Sequence, residues 1–93
     1  MTKFRFTKSA RKHHIGRARV VFVIENAHNV VPQVRPGQPD VLMYLGDDQT
    51  GRALEVGIVV LDEGDVLVIH AMDLRPKFQK DYDEGRGRQG GWL

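Results

Sequence analysis

Apolar residues from Val30 onward fall into short runs that are separated by turn sequences. The runs are VVPQV, VLMYLGDD, ALEVGIVVLD and VLVIHAMD, and the turns are RPGQPD, QTGR and a third one at EG or DEGD. Runs of this length predict β-strands, and strands joined by short turns must pair antiparallel. Pro32 cannot donate to a sheet ladder, so the first strand is expected at an edge, and Pro76 ends the last one.

The residues before Val30 carry helical signals. Thr7 can cap a short helix over residues 8–14, with Phe6 as a staple residue before the cap. For Arg17–Asn26 the signals conflict, because the β-branched run VVFVI favours a strand. Its apolar side chains are also spaced to line one face of a helix, namely Val20, Val23, Ile24 and Ala27. Propensity alone favours the strand.

The chain length of 93 residues predicts one domain. We assign it to residues 1–84, with a short closing helix over residues 77–84. The last segment, GRGRQGGWL over residues 85–93, is glycine-rich and is predicted to be a flexible tail.

The net charge of +2 hides a strong asymmetry along the chain. Residues 1–20 carry seven lysines and arginines and no acid, whereas residues 35–75 carry eight acids against three arginines. A basic N-terminal segment attracts a polyanion or an acidic protein. The alternative is a solvated helix face without a partner.

Several classes of protein are excluded by composition. The absence of cysteine rules out disulfides and thiolate metal sites, and the four histidines form no metal-ligand motif. The longest apolar run has five residues, too few to span a membrane, and the N-terminus has no signal-peptide core. We therefore expect a soluble cytoplasmic protein with no metal, no cofactor and no membrane partner.

Three segments together resemble one protein family. SARKHHIGRARVVFVIEN is similar to the N-terminal helix pair of BrnT-type toxins, which belong to the RelE-like toxin–antitoxin superfamily. GRALEVGIVV and LVIHAMDLRPKFQKDY are similar to the third and fourth strands of that family and the basic stretch after them. The chain departs from the family at Gly16, Arg17, Ala18 and Arg19, where acidic residues are usual, and at His70, where a small or hydroxyl residue is frequent.

The resemblance implies an α+β fold in which two N-terminal helices pack on a four-stranded antiparallel sheet, with a short C-terminal helix. On this basis Arg17–Asn26 is predicted to be a helix, with Gly16 near its N-cap. The resemblance also implies a toxin that cleaves RNA without a metal and that a cognate antitoxin neutralises. A dimer or a toxin–antitoxin hetero-oligomer is then expected.

RNA cleavage of this kind needs a base for the ribose 2′-hydroxyl, a cation for the phosphate and an acid for the leaving oxygen. His70 is the best acid–base candidate, because an unperturbed imidazole titrates near neutral pH. The alternative is a structural histidine held by a carbonyl group or by Glu55.

The position of His70 depends on the register of the last hairpin. If Glu63 and Gly64 form a two-residue turn, Gly57 faces His70 and leaves space beside it, and Glu55 becomes a diagonal neighbour of His70. The core face would then combine Leu54, Val56, Ile58 and Val60 with Leu67, Ile69 and Ala71. A three-residue loop with Gly64 in a bulge would shift the register by one residue and turn His70 to the other face. Both strands are apolar on both faces, so the pattern leaves both registers open.

Arginines supply the candidate phosphate ligands. Arg75 can grip a phosphate with two hydrogen bonds, strengthened by Lys77 and Lys80, or can form an ordinary surface ion pair. Arg52 matches the arginine that opens the family's third strand, or else it balances Asp47 and Asp48.

Three further residues are candidates for RNA binding. Tyr82 can stack on a base or pack beneath the last helix. Lys12 and His13 can extend the phosphate path or form an exposed face.

Two functions remain open: a toxin endoribonuclease, or a non-catalytic module that binds nucleic acid or a protein partner. The sequence contains no cofactor motif that would indicate a metabolic enzyme.

Overall fold

The computed structural model describes residues 2–90, with side chains through Gly87. The elements in chain order are β1 (Phe4–Phe6), α1 (Lys8–Arg11), α2 (Arg17–Asn26), β2 (Asn29–Gln33), β3 (Val41–Asp47), β4 (Ala53–Val60), β5 (Val66–Asp73), a 3-10 helix (Pro76–Phe78) and α3 (Gln79–Gly90). The four strands predicted after residue 29 are all present.

The sheet has five strands in the order β1-β5-β4-β3-β2, and β1 runs parallel to β5 while the other pairs are antiparallel. The prediction of two N-terminal helices on a four-stranded antiparallel sheet is therefore wrong. Its error lies in Phe4–Phe6, which pairs with Val66–Val68 as a fifth strand before the first helix. Parallel pairing needs no tight turn, and three residues are too few to show a strand period.

The helix prediction for Arg17–Asn26 is confirmed. Val20 and Val23 are fully buried against the sheet, so tertiary packing overrides the strand preference of VVFVI. Thr7 caps α1 as predicted, with its hydroxyl accepting the N–H of Ala10 at 3.2 Å. However, α1 ends at Arg11 rather than at residue 14.

Side chains pack on both faces of the sheet. One face, here called the α2 face, carries Leu54, Val56 and Ile58 against α1 and α2. The opposite face, here called the α3 face, buries a second cluster of Met43, Leu45, Phe78 and Tyr82. Because alternate residues of a strand point to opposite faces, Glu55 and Gly57 belong to the α3 face.

The turn between β4 and β5 contains three residues rather than two. The N–H of Leu61 donates to the carbonyl of Asp65, and the N–H of Gly64 donates to the carbonyl of Leu61, both at 2.8 Å. Gly64 has a φ of 86°, a left-handed conformation that glycine adopts without steric cost. Next to the turn the strands therefore pair in the register of the longer loop, with Val60 opposite Val66.

A β-bulge then restores the register of the shorter turn. Ile58 pairs with Val68, but the preceding Gly57 pairs with His70, so Ile69 is an extra residue in β5. Gly57 therefore faces His70, as in the first of the two registers left open by the sequence, although the two-residue turn on which that register depended does not form.

The bulge also changes which side chains build the core. Val66 and Val68 face the helices in place of the predicted Leu67 and Ile69, whereas Ala71 beyond the bulge keeps its predicted place. Val60, which was expected in the core, is 54% exposed.

Asp48 joins the β3–β4 turn to α2. Its side chain is fully buried, and Oδ1 accepts the hydroxyl of Thr50 at 2.6 Å and the N–H of Arg52 at 3.1 Å. Oδ2 accepts Nε of Arg19 at 2.7 Å. The hydrogen bond from the Thr50 hydroxyl, together with the one from Arg19, holds the pKa of Asp48 well below its usual range despite burial. Arg19, one of the departures from the family pattern, therefore has a structural role.

The last helix extends beyond its predicted end. The helix α3 runs to Gly90 and so includes the first six residues of the segment for which a flexible tail is predicted. Residues 91–93 of that segment lie outside the described residues. Gly85 allows α3 to approach the start of β2, since a Cβ there would lie 2.6 Å from Cβ of Asn29 and closer still to the carbonyl oxygen of His28.

We predict that Gly85→Ala lowers the free energy of unfolding by about 1–3 kcal/mol, because the added methyl group forces α3 away from β2. The matched control is Gly87→Ala in the same helix, where an added Cβ has no neighbour within 4 Å. This control should raise the free energy of unfolding by about 0.5–1 kcal/mol. Urea unfolding followed by circular dichroism measures both changes, and a stabilised Gly85→Ala variant would contradict the packing of α3.

Candidate functional site

A buried carboxylate lies at the centre of the candidate site. Glu55, in the middle of β4, has a fully buried side chain on the α3 face. Its Oε2 lies 2.8 Å from Nε2 of His70 and accepts Nη2 of Arg75 at 2.7 Å. Its Oε1 accepts the backbone N–H of Arg75 at 2.8 Å. We call these three residues the Glu55 cluster.

The fold brings these residues together through the bulge and the end of β5. The bulge turns His70 to the α3 face opposite Gly57, so that His70 and Glu55 are diagonal neighbours separated by the pair Val56–Ala71. Gly57 is needed for the close approach, because a Cβ there would lie 3.2 Å from Cβ of His70. Arg75 follows the strand, where the N–H of Leu74 still donates to the carbonyl of Ala53 at 3.1 Å.

The cluster holds Glu55 in its ionised form. Burial alone would raise the pKa of Glu55, but the hydrogen bonds from His70 and Arg75 outweigh it and lower that pKa to about 2. The same contact with Glu55 raises the pKa of Arg75. Glu55 and Arg75 therefore form a charge-assisted pair, and the cluster has no net charge while His70 is neutral.

The carboxylate also determines the tautomer of His70. An ionised carboxylate can only accept hydrogen bonds, so Nε2 of His70 must carry the hydrogen that it donates to Glu55. Nδ1 is then the ring atom that can accept a proton in the neutral form. It has no hydrogen-bond partner within the described part of the chain, and the side chain is 24% exposed.

An aromatic ring supports the cationic side of the cluster. The buried Phe78 lies 5.7 Å from Cζ of Arg75 and 5.1 Å from Nζ of Lys77, measured to the ring centroid. Sequence reasoning missed Phe78, although an aromatic residue three positions after Arg75 is placed for such a contact in a tight helical turn. Lys77 is exposed and forms no ion pair with the described residues.

Arg52 is not part of the cluster. Its Nε and Nη2 donate to the two carboxylate oxygens of Asp73 at 2.5 and 2.6 Å, and this contact, with a smaller contribution from the charge of Asp48, raises the pKa of Arg52. Asp73 pairs with Leu54, whose side chain lies on the α2 face. Arg52 and the Glu55 cluster therefore lie on different faces of the sheet.

Tyr82 packs beneath α3, which favours the structural interpretation of this residue. It is 5% exposed, its ring centroid lies 5.0 Å from that of His28, and its hydroxyl donates to Asp47. Burial, together with the hydrogen bond to Asp47, raises the pKa of Tyr82. Its ring is not available to stack on a base.

The remaining predicted RNA ligands are exposed but lie at separate places on the surface. Lys80 is highly exposed, with Nζ 3.9 Å from Oε1 of Glu84. Lys12 and His13 are exposed at the end of α1, which packs against β5 from the α2 face. Of the predicted RNA ligands, Lys77 alone shares a contact with the Glu55 cluster, through Phe78.

The described residues show neither a cluster of metal ligands nor a membrane-spanning helix. No three histidine, aspartate or glutamate side chains gather as a metal site among residues 2–90. Within the same range no helix is both long and apolar enough to cross a membrane.

Comparison with known proteins adds no relative: no protein-family model, no curated protein and no solved structure matches this chain. The resemblance to BrnT-type toxins therefore rests on the quoted sequence segments.

We predict that replacing Glu55 with glutamine makes stability less dependent on pH. The folded-state pKa of about 2 lies below the ordinary value of 4.5, so the carboxylate contributes its full stability above pH 4.5 and loses it as the pH falls toward 2. At pH 7 the wild-type protein should be about 3 kcal/mol more stable than Glu55→Gln. That difference should shrink as the pH is lowered through this window.

Urea unfolding at a series of pH values measures this difference. The control is Glu25→Gln, which changes an exposed glutamate of α2 and should alter stability by less than about 0.5 kcal/mol. A Glu55→Gln effect that is the same at every pH would show that the buried carboxylate is not ionised.

Proposed function

We propose that the protein is a metal-independent endoribonuclease that acts as the toxin of a type II toxin–antitoxin system. The observation that carries the catalytic part is the Glu55 cluster, in which one buried carboxylate orients an imidazole and a guanidinium on a partly exposed surface. The sequence resemblance to BrnT-type toxins supports the toxin part.

In the proposed reaction His70 acts as the base. Its Nδ1 takes the proton of a ribose 2′-hydroxyl while Nε2–H stays bonded to Glu55. The 2′-oxygen then bonds to phosphorus, and the bond from phosphorus to the 5′-oxygen breaks. The leaving oxygen takes a proton from solvent, so the products are a 2′,3′-cyclic phosphate and a 5′-hydroxyl. This route requires RNA as the substrate, because DNA has no 2′-hydroxyl.

Arg75 stabilises the phosphate in this proposal. Its Nε and Nη2 face Glu55, which leaves Nη1 free to donate to a phosphate oxygen. Lys77 adds an uncompensated positive charge beside the same phenylalanine ring. Glu55 is a positioning residue here, since a buried carboxylate with a lowered pKa is a poor proton acceptor.

The toxin proposal includes partners and a compartment. A cognate antitoxin would bind the protein and block RNA access, giving a hetero-oligomer in the cytoplasm. The basic N-terminal segment is consistent with an acidic or polyanionic partner.

One observation favours the second candidate function, a non-catalytic module that binds nucleic acid or a partner protein. Glu55 neutralises Arg75 and Asp73 neutralises Arg52, so the two arginines that were predicted to hold phosphate are both paired.

We predict that His70→Gln lowers RNA cleavage by about 100- to 1000-fold. The glutamine amide can still donate to Glu55, so the melting temperature should stay close to that of the wild-type protein, but no atom can replace Nδ1 as a base. Arg75→Lys should cause a similar loss, because lysine keeps the charge that pairs with Glu55 but not the second donor edge. Cleavage of a labelled RNA in gels and growth after induced expression measure the two effects.

The control for both variants is Arg35→Gln, which removes a cation from the loop after β2. Should His70→Gln cleave normally, His70 would be structural and the base would lie elsewhere. Should the wild-type protein, freed of any partner, neither cleave RNA nor slow growth, the binding-module function would replace the enzyme.

A further inference from the structure

A positive surface lies on the other side of the sheet from the Glu55 cluster. It consists of five exposed residues in α1 and the turn after it, here called the α1 corner: Lys8, Arg11, Lys12, His13 and His14. The side chains of Lys8, Arg11 and Lys12 form no hydrogen bond or ion pair with the residues whose side chains are described, 2–87. Their charges are therefore uncompensated within the described chain.

The fold holds this corner in a fixed shape. Thr7 caps α1, Ala10 is 1% exposed, and Ile15 after the turn is 7% exposed, so the segment is anchored on both sides of the basic residues. Between them His14 has a φ of 59°, a conformation at which glycine is the usual residue after a helix. Its N–H donates to the carbonyl of Arg11 at 3.1 Å.

The positive charges of the α1 corner do not stabilise the fold. Lys8 and Lys12 are four residues apart, so their charges repel each other on one helix face. A ligand that supplies negative charge would relieve this repulsion.

The apolar residues indicate which kind of ligand fits. Protein interfaces depend on buried apolar and aromatic anchors, whereas nucleic-acid interfaces are polar and positively charged. The large apolar side chains that are exposed in residues 2–90 are Val30, Val34 and Val60, and none of them belongs to the α1 corner. A nucleic-acid backbone therefore fits the corner better than an acidic protein segment does.

The corner also lies beside β5, the strand that leads to the cluster, because α1 packs against β5 on the α2 face. Arg75 follows two residues after the end of β5 and turns to the α3 face.

We propose that the α1 corner is a separate binding surface for the phosphate backbone of nucleic acid. It is distinct from the proposed cleavage site, and binding there requires neither His70 nor a 2′-hydroxyl. Lys8, Arg11 and Lys12 contact successive phosphates, and specificity for a base sequence is not expected from such contacts.

The test is fluorescence anisotropy with a labelled single-stranded DNA, which the proposed cleavage reaction cannot cut. The full-length triple variant Lys8→Gln, Arg11→Gln, Lys12→Gln keeps residues of similar helix propensity and removes the repulsion between Lys8 and Lys12, so its melting temperature should be unchanged or slightly higher. It should bind about 10- to 100-fold more weakly, and the slope of log affinity against log salt should fall by about 2.

A pair of single variants controls for net charge. Lys12→Gln should weaken binding, while Arg35→Gln, which removes one cation from the loop after β2, should bind like the wild-type protein. Equal affinity of the triple variant and the wild-type protein would overturn the proposal, as would equal losses in the two single variants. Binding of a poly-glutamate peptide but not of DNA would assign the corner to an acidic protein instead. Because the DNA is not cleaved, these outcomes do not depend on whether the Glu55 cluster is catalytic.

Discussion

The arrangement of this protein's α3 face depends on the burial of one carboxylate. Removing the charged side chain of Glu55 from water costs several kcal/mol, and that cost is offset only if each oxygen finds donors. The donors come from β5 through His70 and from the segment after it through the backbone and guanidinium of Arg75. The carboxylate thus fixes the end of β5, the start of the 3-10 helix and the tautomer of the imidazole together.

The bulge at Ile69 is what makes this arrangement compatible with a three-residue turn. Without the extra residue, the register set at Gly64 would continue along β5 and place His70 among the core side chains on the α2 face. The bulge interrupts the backbone hydrogen bonds between β4 and β5, and this energetic cost is compensated by the hydrogen bond that His70 then makes to the buried carboxylate of Glu55. Bulges are frequent beside functional sites because they re-aim single side chains in this way.

Much of this could be predicted from the sequence, and the failures have identifiable physical causes. The turn residues around Gly37, Gly51 and Gly64 mark the strand boundaries because glycine adopts positive φ there. One of the two possible registers placed Glu55 beside His70. The bulge selects that register, but its position cannot be recognised in the sequence of a strand that is apolar on both faces. The strand Phe4–Phe6 was missed because its partner lies some sixty residues away and no turn connects them.

The site was harder to predict than the fold, because the carboxylate that pairs with each arginine is determined by three-dimensional contacts and not by neighbours in the sequence. Arg52 and Arg75 look alike in the sequence, each beside a strand end, but strand alternation sends them to opposite faces with different carboxylates. Tyr82 lies in the buried cluster on the α3 face, where its hydroxyl donates to Asp47. Phe78 was overlooked since apolar residues near a chain's last helix ordinarily indicate core packing.

The pairing of Arg75 with Glu55 bears on how the proposed reaction would be driven. With His70 neutral, the cluster has no net charge, so it attracts a phosphate only through the free edge of Arg75 and through Lys77. When Nδ1 takes the 2′-hydroxyl proton, the cluster becomes positive by one unit, at the step in which negative charge builds on the phosphate oxygens. A buried carboxylate that stays ionised stabilises the imidazolium through the same hydrogen bond that orients the ring. In the proposed mechanism Glu55 therefore couples proton uptake to phosphate stabilisation without itself exchanging a proton.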